Sequence, residues 1–98
     1  MTAPPPPGTI TQDRLTLSAP RQGLHEITGD VVAWLDTQTA TVGLLTLYLR
    51  HTSASLLIQE NEDRDVLRDL EDYFATQAPE DTALYRHTAE GADDMPAH

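Results

Sequence analysis

The residues able to do chemistry in this 98-residue chain are imidazoles and carboxylates. There are four histidines, His25, His51, His87 and His98, and no cysteine. Thiol catalysis, disulfide staples and zinc ribbons are therefore excluded, and a metal centre has to draw on His, Asp and Glu. His51 closes an apolar run and opens "HTSAS", where Thr52, Ser53 and Ser55 offer hydroxyls that donate to an anion and small side chains that admit a ligand. "QEN" follows the next apolar run, so Glu60 and Asn61 stand where element ends commonly present functional groups. The last thirteen residues, "RHTAEGADDMPAH", bring His87, Glu90, Asp93, Asp94 and His98 together. Neutral imidazole and carboxylate suit zinc and several other divalent ions, and three protein ligands with an open position make a reactive centre.

Each of these residues also has a structural reading. His25 lies at an expected turn and reads as an ordinary surface residue, and His51 taken alone reads as a satisfied structural histidine before it reads as a site. Asp63 and Asp65 sit where a helix starts and serve as caps there, while Glu60 and Asn61 suit either role. The separation of His87 from His98 matches no recognised metal-ligand spacing. Phosphate-loop, dinucleotide-binding, nucleophile-elbow and HExxH motifs are all absent.

The elements that must position these groups follow from periodicity. "MTAPPPPG" is expected to form a disordered, proline-rich arm over 1–8. Ile10, Leu15 and Leu17 predict a strand over about 9–18, and "APRQG" supplies a turn. Ile27, Val31 and Leu35 predict a helix over about 28–38 with Thr28 as N-cap. Leu45, Leu47 and Leu49 alternate with Thr46, Tyr48 and Arg50, and Leu56, Leu57 and Ile58 follow a polar break, which predicts two strands. Val66, Leu67, Leu70 and Phe74 predict a second amphipathic helix from Asn61, stopped by Pro79, and "ALYRH" predicts a last short strand. The expected class is α+β.

Six Lys and Arg against 16 Asp and Glu give a formal charge of −10, which opposes nucleic-acid and anionic-membrane partners. No apolar run approaches the roughly 20 residues that span a bilayer, and the expected location is the cytoplasm. One domain of this length buries only about 60–68% of its unfolded surface, so oligomerisation is the natural source of added stability.

"GLLTLYLRHTSASLLIQENEDRDVLRDLE" and "YRHTAEGADDMPAH", in this order, resemble the YjbQ family, known as secondary thiamine-phosphate synthase. "HTSAS", "QEN", "H..EG.DDMPAH" and the "EIT" at 26–28 carry the resemblance, which runs from about Ile10 to the last residue. It implies a β-sandwich with flanking helices that assembles as a homotrimer around a cleft with shared histidines and a divalent metal, zinc or magnesium. By that resemblance His51, His87 and His98 are metal-ligand candidates, and His51, Glu60, Asn61, Glu90 and Asp94 are candidates for acid–base work or ligand orientation. Family chains continue past "PAH" with further strands, including a Gly-Thr-Trp-Gln stretch, so the domain over 9–98 is expected to be incomplete at its C-terminus. The implied activity joins a pyrimidine methyl diphosphate to a thiazole phosphate. The alternatives are a metal-dependent hydrolase of a small phosphorylated or carbonyl substrate, and a non-catalytic metal- or metabolite-binding trimer.

Overall fold

The computed structural model describes residues 3–98, and the first two positions of the expected arm over 1–8 lie outside the described residues. The chain divides into two units, Met1–Thr46 and Leu47–His98.

In the first unit the proline run ends in a turn. Thr9 donates to the Pro6 carbonyl from its amide (3.2 Å) and its hydroxyl (2.6 Å). Gly8 lies at φ 81°, the positive value that the third residue of a type II turn needs. Helix α1 spans Thr28–Asp36. Its N-cap is Ile27, whose carbonyl accepts from the Val31 amide (3.1 Å), and no side chain caps it. The expected cap, Thr28, is instead the first helical residue, and the helix stops short of 38. Thr37 ends it by turning both amide (3.0 Å) and hydroxyl (2.6 Å) onto the Trp34 carbonyl. Ile27, Val31, Trp34 and Gln38 are half-buried, the spacing of one helical face.

In the second unit helix α2 spans Arg64–Gln77. The Asp63 side chain caps it by accepting from the Asp65 amide (2.9 Å), an interaction worth about 1 kcal/mol. Val66, Leu67 and Leu70 are half-buried along one face, while Phe74 is exposed and meets Tyr73 edge-on at 5.8 Å. Pro79, without an amide hydrogen, cannot extend the helix, and its carbonyl accepts from the Tyr85 hydroxyl (2.8 Å). A 3₁₀ turn over Thr82–Leu84, capped by Asp81, replaces part of the strand expected at "ALYRH". The one-turn helix α3, Asp94–Ala97, closes the unit.

The expected β-sandwich is not seen. Among the described residues there is no strand, neither at 9–18, nor in the run from Leu45 to Ile58, nor at "ALYRH", and the regular structure is helical. The physical reason lies in what a strand requires. Alternation selects a face, but a strand exists only when its amides and carbonyls pair with a second strand, and no such ladder forms among these residues. The alternation survives as exposure: Leu45, Leu47 and Leu49 are 41%, 47% and 37% exposed, against 93% for Leu44 and 84% for Tyr48. No described residue is buried.

Candidate functional site

The segment from His87 to His98 folds back on itself because of two local devices. Gly91 takes φ 111°, its amide donates to the Thr88 carbonyl (3.2 Å), and the Asp94 amide reaches the Gly91 carbonyl (3.5 Å). A Cβ at Gly91 would also stand 3.2 Å from Asp93 Oδ1. Side chains other than glycine rarely adopt this φ. The second device is α3, which accepts Pro96 because a first-turn residue needs no amide donor. It sets Asp94 and His98 four positions apart on one face.

The outcome is a carboxylate between two imidazoles. Asp94 Oδ2 lies 3.1 Å from His87 Nε2 and 3.5 Å from His98 Nε2. The Asp94 side chain is 21% exposed, against 53% for His87 and 35% for His98. A carboxylate oxygen offers only lone pairs, so in each neutral ring it favours the proton on the nitrogen that faces it. That leaves Nδ1 of both rings as the free base. In open solvent each such contact is worth about 0–1 kcal/mol, enough to orient a ring but little more.

His51 is arranged differently. The Ser53 amide donates to His51 Nδ1 (2.9 Å). A backbone amide can only donate, so Nδ1 is the acceptor and the neutral ring carries its proton on Nε2. Tyr48, Leu49, Arg50, His51 and Thr52 line an open depression of about 460 Å³. Thr52 and Ser55 are exposed and Ser53 is half-exposed.

The remaining candidates are spread along the same unit. Glu60 Oε1 accepts from the Glu62 amide (2.7 Å), so this carboxylate is engaged in a local turn just before α2. Asn61 is half-buried, and Glu90 is exposed. His25, in the first unit, donates from Nε2 to the Arg21 carbonyl (2.6 Å), a backbone contact in keeping with a surface turn.

The three expected metal ligands are thus not brought together: His87 and His98 share Asp94, while His51 is tied to its own loop. Among the described residues no group of three His, Asp or Glu is arranged to hold an ion, and no step below runs through a metal. The sequence reading did not single out Gly91, whose position between His87 and His98 was the signal available for it.

The family model for "UPF0047 protein YjbQ-like" matches residues 13–98. The chain belongs to the YjbQ family. It is 47% identical over 87 residues to the UPF0047 protein sll1880 of Synechocystis sp., covering 89% of this chain and 59% of that protein. It is 47% identical over 88 residues to the UPF0047 protein YjbQ of Escherichia coli O157:H7, covering 89% and 63%. Against the UPF0047 protein YugU of Bacillus subtilis it is 36% identical over 67 residues, covering 68% and 51%. The chain therefore spans less than two thirds of the length of these YjbQ-family relatives. No solved structure gives a significant match.

These findings correct the expected activity. The relatives bear only family designations, and neither those names nor the family description states a thiamine-phosphate synthase or a hydrolase. The expected transferase, with its hydrolase and non-catalytic trimer alternatives, is withdrawn as the account of this YjbQ-family chain. Among the described residues no helix is long and apolar enough to cross a membrane.

Proposed function

We propose that the His87–His98 segment serves as a paired-imidazole acid–base centre acting on a small molecule. The observation that supports this reading is the position of Asp94 Oδ2, 3.1 Å from one Nε2 and 3.5 Å from the other. A carboxylate behind an imidazole fixes ring orientation and tautomer, and so holds the opposite nitrogen as the acceptor. Two such rings on one carboxylate provide one group to remove a proton and a second to return one. The excess of carboxylates supports a small molecule rather than nucleic acid or membrane as partner. The absence of cysteine supports a reducing cytoplasm, and the family resemblance supports a homotrimer.

Diethyl pyrocarbonate acylates unprotonated imidazole nitrogen, and peptide mapping resolves its rate at each histidine. In the full-length protein, Asp94→Asn should change the acylation rates at His87 and His98 together, as both rings lose the carboxylate that orients them, and leave His25 unchanged. Unchanged rates at both rings would remove the basis for a paired base.

A further inference from the structure

We infer that Tyr85 is a positioning residue for His87: its hydroxyl, bonded to the Pro79 carbonyl, anchors the chain that enters the His87–Asp94–His98 centre to the end of α2. The inference rests on the acid–base reading of that centre and deepens it, naming what holds the ring that no helix places.

The two imidazoles reach Asp94 by different routes. His98 follows Asp94 by four positions at the end of α3, so helix geometry places it. His87 lies outside any helix, yet its Nε2 stands 3.1 Å from Asp94 Oδ2, the shorter of the two contacts. On its C-terminal side the turn at Gly91 brings Asp94 back toward it. On its N-terminal side the chain needs an anchor of its own, because a ring held from one side only keeps conformational freedom on the other.

Tyr85, two positions before His87, supplies that anchor. It leaves the 3₁₀ turn in extended backbone (φ −124°, ψ 152°), and its amide makes only a long contact with the Thr82 carbonyl (3.4 Å). The side chain makes the better bond: the hydroxyl donates to the Pro79 carbonyl six positions earlier (2.8 Å), between two half-buried residues. The acceptor is itself fixed. The Ala78 amide still donates to the Phe74 carbonyl of α2 (2.8 Å), the Pro79 ring locks its own φ, and the Asp81 amide takes the same Pro79 carbonyl (2.9 Å). The Asp81 side chain then caps the 3₁₀ turn through the Ala83 amide (3.0 Å). The phenol thus closes the loop 79–85 at its base and fixes the point from which Arg86 and His87 depart. Tyrosine suits this task, since a flat ring with two side-chain torsions spans the loop at little entropic cost. Phenylalanine would keep the span and lose the bond.

The test compares long-range ¹H–¹⁵N spectra of the imidazoles in the native full-length protein, in Tyr85→Phe, and in Tyr85→4-aminophenylalanine, which puts an N–H donor where the hydroxyl was. Asp94→Asn is the control for the centre itself. Tyr85→Phe should narrow the separation between the Nδ1 and Nε2 shifts of His87, as its held tautomer gives way to exchange, and leave His98 and His51 at their native values. The aminophenylalanine variant should restore the native His87 shifts. A native His87 spectrum in Tyr85→Phe, beside a shifted pair in Asp94→Asn, overturns the role of Tyr85 and leaves the paired centre standing. A pair indifferent to Asp94→Asn overturns both. Equal movement of His87 and His98 in Tyr85→Phe, or no recovery with the amino group, reduces Tyr85 to a general structural residue and overturns the inference as well.

Discussion

The loop at His51 and the segment at His87–His98 use the same side chain in opposite senses. In the loop, a backbone amide takes Nδ1 and leaves a proton donor facing outward. In the segment, a carboxylate faces Nε2 and leaves the lone pair of Nδ1 outward on two rings. All three neutral rings carry their proton on Nε2, yet one presents an acid edge and two present a basic edge. Ring chemistry is thus set by the neighbour: an amide that can only donate, or a carboxylate that can only accept.

The largest break in this contrast should come from Gly91→Ala. A non-glycine residue at φ 111° is strained by about 1–3 kcal/mol. The turn that returns His87 to Asp94 should loosen, and amide hydrogen exchange at Asp94, Ala97 and His98 should accelerate while the Ser53 amide keeps its native rate. Equal acceleration in both regions would show that they are not independent.

A smaller effect is expected on the opposite side of the contrast. Ser53→Pro deletes the amide that holds His51 Nδ1, a hydrogen bond worth about 0.5–1.5 kcal/mol, whereas Ser53→Ala keeps it. The His51 ring ¹⁵N shifts should change in the proline variant alone. If the alanine variant changes them equally, the serine hydroxyl and not the backbone sets the ring.

The mildest case lies in the first unit and sharpens the role of a carboxylate facing a ring nitrogen. Asp13 accepts from the Arg14 amide (2.7 Å) and from Trp34 Nε1 (3.0 Å), and these bonds, the Arg14 one foremost, hold its carboxyl below the ordinary value. A lowered folded-state pKa stabilises the fold above the unfolded value, and that stability is lost as pH falls through the folded one. Trp34 is the one tryptophan of the chain, so its fluorescence should hold steady through neutral pH and change on the acid side of the usual carboxylate range. Asp13→Asn should remove that acid step; a step that persists in the variant would assign it to another carboxylate.

The helices were legible where local rules decide. Asp63 as cap, the Val66, Leu67 and Leu70 stripe and the Pro79 stop place α2 within a few residues of the reading. The α1 boundary slipped because backbone geometry, not the Thr28 hydroxyl, starts that helix. The strands were not legible in the same sense. Period-two patterning at Leu45, Leu47 and Leu49 records a face, while a strand also needs a partner that the pattern does not name. Within the candidate site, the spacing of Asp94 and His98 already fits one helical face. The approach of His87 was hidden, because a positive φ at Gly91 leaves no periodic trace in the sequence.

The most direct test of the contrast is a long-range ¹H–¹⁵N correlation spectrum of the imidazoles in the native full-length protein and in Asp94→Asn. The arrangement described here predicts a protonated Nε2 on the neutral forms of His51, His87 and His98. In the variant the ring shifts of His87 and His98 should move together while those of His51 stay in place. A His51 ring protonated on Nδ1, or His87 and His98 rings indifferent to the loss of the Asp94 charge, would contradict it.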